Sequence, residues 1–307
     1  MKMIGVIGAG TMGTGIAQLF AMSGYEVVFL DIKQQAIETG INRIKSNLER
    51  MVKKAKLSEN QANEIVARIH GTTDWSKLAT ADYVTEAVPE KMTLKHEVYR
   101  IIESYCREEI IFATNTSGLS VTEIASVLKR PERLIVTHYF YPVPIMKLVE
   151  LVRGAKTSDE TVLTVKKLLT TLGKKCIEVK ESPLFVVNRL IIPMINEAIF
   201  VLQEGICKKE EIDEAMLLGA DHPVGPLALA DIIGLDTLLY VIETLYTETN
   251  DPKYRPAPLL RQMVRSGNLG RKTGKGFYEY DGKQTNDTQT NASHTNVSPI
   301  NTQEVLA

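Results

Sequence analysis

The chain has 307 residues, of which 44% are hydrophobic and 24% are charged, proportions typical of a soluble globular protein. This composition excludes intrinsic disorder of the whole chain, and the length predicts about two domains. With 36 basic and 37 acidic residues the formal net charge is −1, so no nucleic-acid partner is expected. No apolar run approaches the roughly 20 residues of a membrane span, so no membrane association is predicted either.

The first part of the chain alternates short apolar runs with longer stretches of helical periodicity. The predicted strands are Ile4–Ile7, Val27–Leu30, Tyr83–Val88, Ile110–Ala113, Leu134–Thr137, Leu148–Val152 and Cys176–Val179. The predicted helices between them include Thr11–Ser23, Gln34–Lys54, Leu94–Cys106 and Ser158–Leu172. Strands that are buried on both faces are continuously apolar, as these are. We therefore predict an α/β domain over residues 1–182 with a mostly parallel, doubly wound sheet.

After Pro183 the pattern becomes helical throughout, with no convincing strand. The predicted helices are Phe185–Glu204, Lys208–Leu218, Pro226–Thr247 and Ala257–Ser266. We therefore predict an all-helical domain over residues 183–281. Residues 282–307 are polar and repetitive, which predicts a flexible tail because such a segment buries too little apolar surface to fold.

The first helix of the second domain carries more apolar surface than one face of a small domain needs. Its apolar residues are Leu190, Ile191, Ile195, Ile199 and Leu202. Four short helices make a small core, and association of two copies is a common way to enlarge it. We therefore expect a homodimer that forms through the helical domain.

The N-terminus and the cysteines bear on the cell compartment. Residues 1–8 have no small-residue cleavage site and contain the first predicted strand, so we expect a cytoplasmic protein without a signal peptide. The cysteines (Cys106, Cys176 and Cys207) are odd in number and widely spaced. This pattern argues against a disulfide framework and against a structural zinc site, and no metal is predicted.

A glycine motif follows the first strand. Gly8 permits a tight turn, Gly10 allows the backbone to approach a pyrophosphate, and Gly13 permits close packing of helix on strand. The next strand ends at Asp31, whose carboxylate can bind ribose hydroxyls and would repel a 2′-phosphate. Lys33 is the only nearby cation. Strand, motif, helix and acid together predict a Rossmann-type site for NAD in preference to NADP.

Further segments contain candidate catalytic and ligand-binding residues. His138 lies just beyond a predicted strand, where open α/β sheets bind ligands. Glu150 lies within an apolar strand, and its spacing allows either a solvent-facing side chain or a buried one paired with His138. If the two meet, Glu150 would orient an imidazole that acts as a general base. The strand end at Thr114–Ser117 is crowded with hydroxyls and includes the amide of Asn115. It could belong to a helix cap, with Ser120 or a neighbour starting the helix through Leu128, or it could bind a ligand, and one turn can do both.

Eight segments, in order over residues 1–281, make the chain resemble the L-3-hydroxyacyl-CoA dehydrogenase family, of the short 3-hydroxybutyryl-CoA dehydrogenase type. They are GAGTMG at 8–13, EAVPE at 86–90, TNTS at 114–117, PVPIMKLVE at 142–150, VNRL at 187–190, HPVGP at 222–226, GLDT at 234–237 and GRKTGKGFY at 270–278. The resemblance implies NAD-dependent, reversible oxidation of an L-3-hydroxyacyl-CoA, such as 3-hydroxybutyryl-CoA, and a homodimeric enzyme.

The resemblance also implies roles for individual residues. His138 would be the catalytic base with Glu150 as its charged partner, and Ser117 and Asn188 would bind the substrate. Lys54 would contact the coenzyme A phosphates. The implied NAD contacts are Gly8, Gly10, Thr11, Met12, Gly13, Asp31, Glu90, Lys95, Asn115, Tyr141 and Lys272.

The chain departs from the family pattern at three positions. Tyr141 stands where similar enzymes have asparagine, so its assignment as a cofactor contact is by position only. Gly118 stands where serine is common, and Leu184 stands where glycine usually follows the proline. Two alternatives therefore remain, namely an NAD-dependent dehydrogenase of a non-CoA hydroxy acid and an NAD-binding protein with impaired catalysis.

Overall fold

The structure is a computed structural model that describes residues 1–280, so the predicted tail at 282–307 lies outside the described residues. The chain divides between Phe185 and Val186 into two units. None of the helices described over residues 1–280 is long and apolar enough to cross a membrane.

Eight strands of the first unit form one sheet in the order β3-β2-β1-β4-β5-β6-β7-β8. They are β1 (Met3–Ile7), β2 (Glu26–Leu30), β3 (Ile69–Thr72), β4 (Tyr83–Glu86), β5 (Ile111–Thr114), β6 (Leu134–Tyr139), β7 (Leu148–Arg153) and β8 (Lys175–Lys180). All neighbouring strands are parallel except the antiparallel pair β6 and β7. The prediction of a mostly parallel, doubly wound sheet is confirmed.

Helices cover both faces of this sheet. They are α1 (Thr11–Met22), α2 (Gln34–Lys53), α3 (Glu59–Ala67), α4 (Met92–Tyr105), α5 (Val121–Ala125) and α6 (Asp159–Thr171). Successive strand residues point to opposite faces, so Phe29 belongs to the apolar cluster with α1, α2 and α6, whereas Val28 belongs to the cluster with α4 and α5. Strand order reverses on either side of β1, which places a ligand crevice at the carboxyl ends of β1 and β4.

One strand, β3, was absent from the prediction. It contains His70 and Gly71 between Ile69 and Thr72, so it shows neither a continuous apolar run nor a clean alternation. Its pairing with β2 defines it as a strand. This is a case in which tertiary pairing overrides weak local preference.

The second unit is helical as predicted, with α7 (Val187–Gln203), α8 (Lys209–Gly219), α9 (Pro226–Ile233), α10 (Leu235–Thr249) and α11 (Pro258–Arg265). The single helix predicted over 226–247 was wrong, because the chain breaks at Gly234 between α9 and α10. Gly234 has φ +95°, a conformation that side chains with a Cβ rarely adopt and that ends one helix before the next begins.

Candidate active site

The glycine motif forms a tight turn from β1 into α1. Gly8 has φ +97°, and a Cβ at this position would lie 2.6 Å from the carbonyl oxygen of Ala87. A Cβ at Gly13 would lie 1.8 Å from the carbonyl oxygen of Gly8, so only glycine permits this contact. Gly10 precedes α1 and has open space where a side chain would be. Thr11 and Met12 begin the helix, so the start of α1 offers backbone N–H groups to an anion, as a dinucleotide pyrophosphate requires.

Asp31 joins the end of β2 to this turn. Its Oδ2 accepts a hydrogen bond from the backbone N–H of Ala9 at 2.8 Å, and its Oδ1 accepts one from that of Lys33 at 3.0 Å. An ionised carboxylate has about four acceptor sites, so two hydrogen bonds leave capacity for a ribose diol. The carboxylate therefore lies beside the glycine turn.

Arg43 was not singled out in the sequence. This α2 residue donates from Nη1 to Oγ1 of Thr11 at 2.8 Å and so brings a guanidinium to the start of α1. Lone basic residues on helices are usually solvated, so nothing in the sequence separated Arg43 from the other cations of α2.

His138 and Glu150 lie directly opposite each other on the antiparallel strands β6 and β7. Nδ1 of His138 is 2.7 Å from Oε2 of Glu150, and both side chains are at most 1% exposed. A buried carboxylate needs a partner, so Nδ1 carries the proton that Glu150 accepts. This leaves Nε2 as the ring nitrogen that can exchange a proton with a ligand. Of the two orientations that the sequence left open for Glu150, the structure has the paired one.

Two aromatic rings contact the His138 imidazole. The ring centroid of Phe140 is 4.6 Å away with an interplanar angle of 55°, and that of Phe185 is 5.6 Å away at 60°. Both phenylalanines are buried. The imidazole is therefore held by a carboxylate at one nitrogen and by apolar rings around it.

A buried charged network lies at the ends of β4 and β5. Nζ of Lys95 on α4 donates to Oε1 of Glu86 at 2.7 Å and lies 3.4 Å from Oε2 of Glu90. Burial alone would lower the pKa of Lys95, but the two carboxylates outweigh it and raise that pKa, so the lysine is charged. From the sequence alone, Glu86 received no role in the site. The signal was present, because Glu86, like Glu150, is a carboxylate in an apolar strand.

Glu90 connects this network to the loop after β5. Its Oε1 accepts a hydrogen bond from the backbone N–H of Ser117 at 3.0 Å and another from the hydroxyl of Thr116. The amide oxygen of Asn115 accepts from the backbone N–H of Tyr139 at 3.0 Å, which ties the loop to the end of β6. Helix capping falls to Ser120, whose hydroxyl accepts from the N–H of Glu123 at the start of α5. The helix cap is therefore at Ser120, the residue that the sequence offered for it.

Tyr141 is half-buried and precedes Pro142 through a cis peptide bond. The turn that follows is held by Lys174, whose Nζ donates to the carbonyl oxygens of Val143 at 2.5 Å and Met146 at 2.6 Å. Burial lowers the pKa of Lys174 to about 8. Tyr141 thus lies on a well-anchored loop, two residues beyond the end of β6.

The remaining candidates lie apart from this cluster in the chain. Lys54 is exposed at the end of α2. Asn188, in the first turn of α7, is 1% exposed, and within residues 1–280 neither polar atom of its amide has a hydrogen-bond partner. Nζ of Lys272 pairs with Asp236 at 2.5 Å, within the helical unit. The buried amide of Asn188, which lacks a hydrogen-bond partner within residues 1–280, requires an explanation, and ligand binding provides one.

No group of three or more His, Cys, Asp and Glu side chains in the described part of the chain could hold a metal ion. The three cysteines are free thiols.

Two family models match the chain. The 3-hydroxyacyl-CoA dehydrogenase NAD binding domain matches residues 3–182, and the 3-hydroxyacyl-CoA dehydrogenase C-terminal domain matches residues 185–280. Together they cover both units.

Similar proteins agree with these matches. A 3-hydroxybutyryl-CoA dehydrogenase of Clostridioides difficile is 48% identical over 91% of this chain and 99% of its own length. A probable 3-hydroxybutyryl-CoA dehydrogenase of Bacillus subtilis is 47% identical over 92% of this chain and 99% of its own. The crystal structure of an (S)-3-hydroxybutyryl-CoA dehydrogenase from Ralstonia eutropha superposes with a TM-score of 0.90, at 52% identity, and the match covers 92% of this chain and 99% of that one. The chain therefore belongs to the 3-hydroxyacyl-CoA dehydrogenase family, whose members are NAD-dependent oxidoreductases.

Proposed function

We propose that the protein catalyses the reversible, NAD-dependent oxidation of L-3-hydroxybutyryl-CoA to acetoacetyl-CoA. The observation that carries this proposal is the buried pair of His138 and Glu150, whose side chains are 2.7 Å apart at the carboxyl end of β6. The full-length similarity to 3-hydroxybutyryl-CoA dehydrogenases supports the choice of substrate.

In this mechanism His138 is the general base. Nε2 accepts the proton of the substrate's C3 hydroxyl, while Glu150 holds Nδ1–H and stabilises the positive charge that the ring acquires. In the reducing direction the protonated ring returns that proton to the forming alkoxide. Burial of both side chains keeps water away from the pair, which strengthens their interaction.

Ser117 and Asn188 bind the substrate in this proposal. The Ser117 hydroxyl is on the loop that Glu90 holds through the backbone N–H of Ser117, so the loop is already ordered before substrate binds. No group in the described part of the chain hydrogen-bonds the buried amide of Asn188, so its donors and its acceptor can bind the C3 oxygen or the thioester. Lys54, exposed and cationic, is the proposed contact to the coenzyme A phosphates.

The residues at the turn after β1 fit an NAD molecule. The glycine turn at 8–13 leaves room for a pyrophosphate, and Asp31 has acceptor capacity for the adenosine ribose. Glu90, Lys95, Asn115 and Tyr141 are the proposed neighbours of the nicotinamide half, and Lys272 is a further proposed contact. When bound, NAD supplies the hydride acceptor.

We also propose that the protein is a cytoplasmic homodimer that associates through the helical domain. Leu190 on α7 is 68% exposed and Leu218 on α8 is 79% exposed, so both side chains are accessible to a second copy of the chain. Ile195 and Ile199, which the sequence grouped with Leu190, are fully buried within the chain and contribute to the core. The proposed dimer surface is therefore smaller than the sequence indicated.

The test is oxidation of L-3-hydroxybutyryl-CoA in the presence of NAD, followed by NADH absorbance. We expect turnover with the L-enantiomer and little with the D-enantiomer or with free 3-hydroxybutyrate. Faster oxidation of the free acid would favour the non-CoA dehydrogenase that Tyr141 suggests. NADH binding without turnover of any of these compounds would favour the catalytically impaired protein.

A further inference from the structure

Leu184 and Phe185 have an unusual backbone conformation. Their φ angles are +60° and +54°, in the left-handed region that residues with a Cβ rarely adopt. Both side chains are buried, with exposures of 4% and 2%. Two consecutive residues of this kind persist only where surrounding contacts impose them, and such positions cluster at functional sites.

The segment that leads into this turn is held by contacts to the residues that begin α5. The carboxylate of Glu181 accepts hydrogen bonds from the Ser120 hydroxyl at 2.6 Å, the backbone N–H of Thr122 at 3.0 Å and the Thr122 hydroxyl. These bonds fix the segment just before Leu184 against the start of α5. The backbone N–H of Phe185 also donates to the carbonyl of Ser182 at 3.2 Å, which closes the turn.

Leu184 then packs onto Gly118. A Cβ built at Gly118 would lie 3.1 Å from Cδ2 of Leu184, closer than most real contacts allow. The two departures from the family pattern, glycine at 118 and leucine at 184, are therefore neighbours in the structure. The missing side chain of the first makes room for the added side chain of the second.

The consequence of the turn is the position of Phe185. Its ring contacts the imidazole of His138 at a centroid distance of 5.6 Å. Glu150 fixes only Nδ1 of that imidazole, so the ring could still tilt about this hydrogen bond. Packing by Phe185 and Phe140 opposes the tilt and holds Nε2 in one direction.

We propose that Leu184 and Phe185 are positioning residues for His138, with Leu184 locked onto Gly118 so that Phe185 is pressed against the imidazole. This inference rests on the proposed function, in which His138 is the general base. Positioning matters because a displacement of about 1 Å in a catalytic group can cost about a hundredfold in rate.

The first test is Phe185→Leu in the full chain. We expect kcat to fall about tenfold while KM for each substrate stays within about twofold. The side-chain NMR resonances of His138, measured with labelled histidine and without substrate, should broaden or split. The control is Phe20→Leu, which removes another buried ring of the same unit, packed on Tyr25 at 5.7 Å near the C-terminal end of α1. It should lower thermal stability without altering kcat or the His138 resonances.

The second test uses the pair at 118 and 184, in case Phe185→Leu does not fold. Gly118→Ser should displace Leu184, and Leu184→Gly should leave the space empty, so each should lower kcat about fivefold. The double variant should recover to within about threefold of the parent, because the serine fills the space that the leucine leaves.

Unchanged kcat and unchanged His138 resonances in Phe185→Leu would overturn the inference. The inference would also be overturned if kcat of the double variant at 118 and 184 fell by the product of the two single-variant losses. The NMR measurement needs no substrate, so it separates failure of this inference from failure of the proposed activity.

Discussion

Replacement of Glu150 by glutamine tests the role of the buried pair most sharply. The amide keeps the size and the hydrogen-bonding reach of the side chain but removes its charge. Because Glu150 is fully buried 2.7 Å from Nδ1 of His138, no solvent can compensate for the missing charge. We expect the variant to fold and to bind NADH normally but to lose most of its turnover.

The size of the loss follows from the geometry. A hydrogen bond to a charged group contributes about 1.5–3 kcal/mol. Two unit charges with centres about 4 Å apart interact by about 4 kcal/mol at an effective dielectric constant of about 20. At about 1.4 kcal/mol for each factor of ten, a loss of about 2–4 kcal/mol lowers kcat roughly 30- to 1000-fold.

The assay is a double-mutant cycle in steady-state turnover with His138→Ala, Glu150→Gln and the double variant. The double variant should be little slower than the slower single variant, because each change disables the same pair. Glu178→Gln is the matched control, since this acid of β8 is exposed and pairs with Arg153. Losses that multiply in the double variant would mean that the two residues act independently, which would refute the pairing.

Three further predictions concern the cofactor, the assembly and the atypical tyrosine. In Asp31→Ala, the ratio of kcat/KM with NADH to kcat/KM with NADPH should fall about ten- to a hundredfold. An unchanged ratio would contradict the proposed role of this carboxylate. Leu190→Asp should give a monomer by light scattering, while Leu163→Asp, at a leucine of the first unit that is also exposed (57% against 68% for Leu190), should leave a dimer. A wild type that is already monomeric at micromolar concentration contradicts the proposed assembly. Tyr141→Asn should raise kcat/KM for short 3-hydroxyacyl-CoA substrates by a factor of about 2–13, the value of one neutral hydrogen bond, with Tyr141→Phe near wild type. A wild type that is inactive on acyl-CoA while Tyr141→Asn is fully active would instead indicate a changed substrate.

The sheet could be predicted from the sequence because its strands are buried on both faces and therefore appear as continuous apolar runs. The same rule fails for β3, which lies at the edge of the sheet and includes His70 and Gly71. The break between α9 and α10 at Gly234 could not be predicted for a different reason. A single glycine within a helical pattern is compatible with one continuous helix, and only its φ of +95° shows that the helix ends there.

The site was only partly predictable for a related reason. Motifs identify residues that are close in sequence or that match a known pattern, such as the glycine turn and Asp31. They do not reveal contacts that depend on three-dimensional register, such as Glu90 with Ser117. The contact between Gly118 and Leu184 joins two positions that the sequence presented as unrelated departures.

The central claim is that this chain acts on a CoA thioester, and reduction of acetoacetyl-CoA by NADH tests it most directly. The measurement is the loss of NADH absorbance with purified full-length protein, compared with free acetoacetate at equal concentration. We predict rapid loss with acetoacetyl-CoA that disappears in His138→Ala, and no comparable rate with acetoacetate. No loss with acetoacetyl-CoA from a protein that binds NADH, or an equal rate with acetoacetate, would contradict the account.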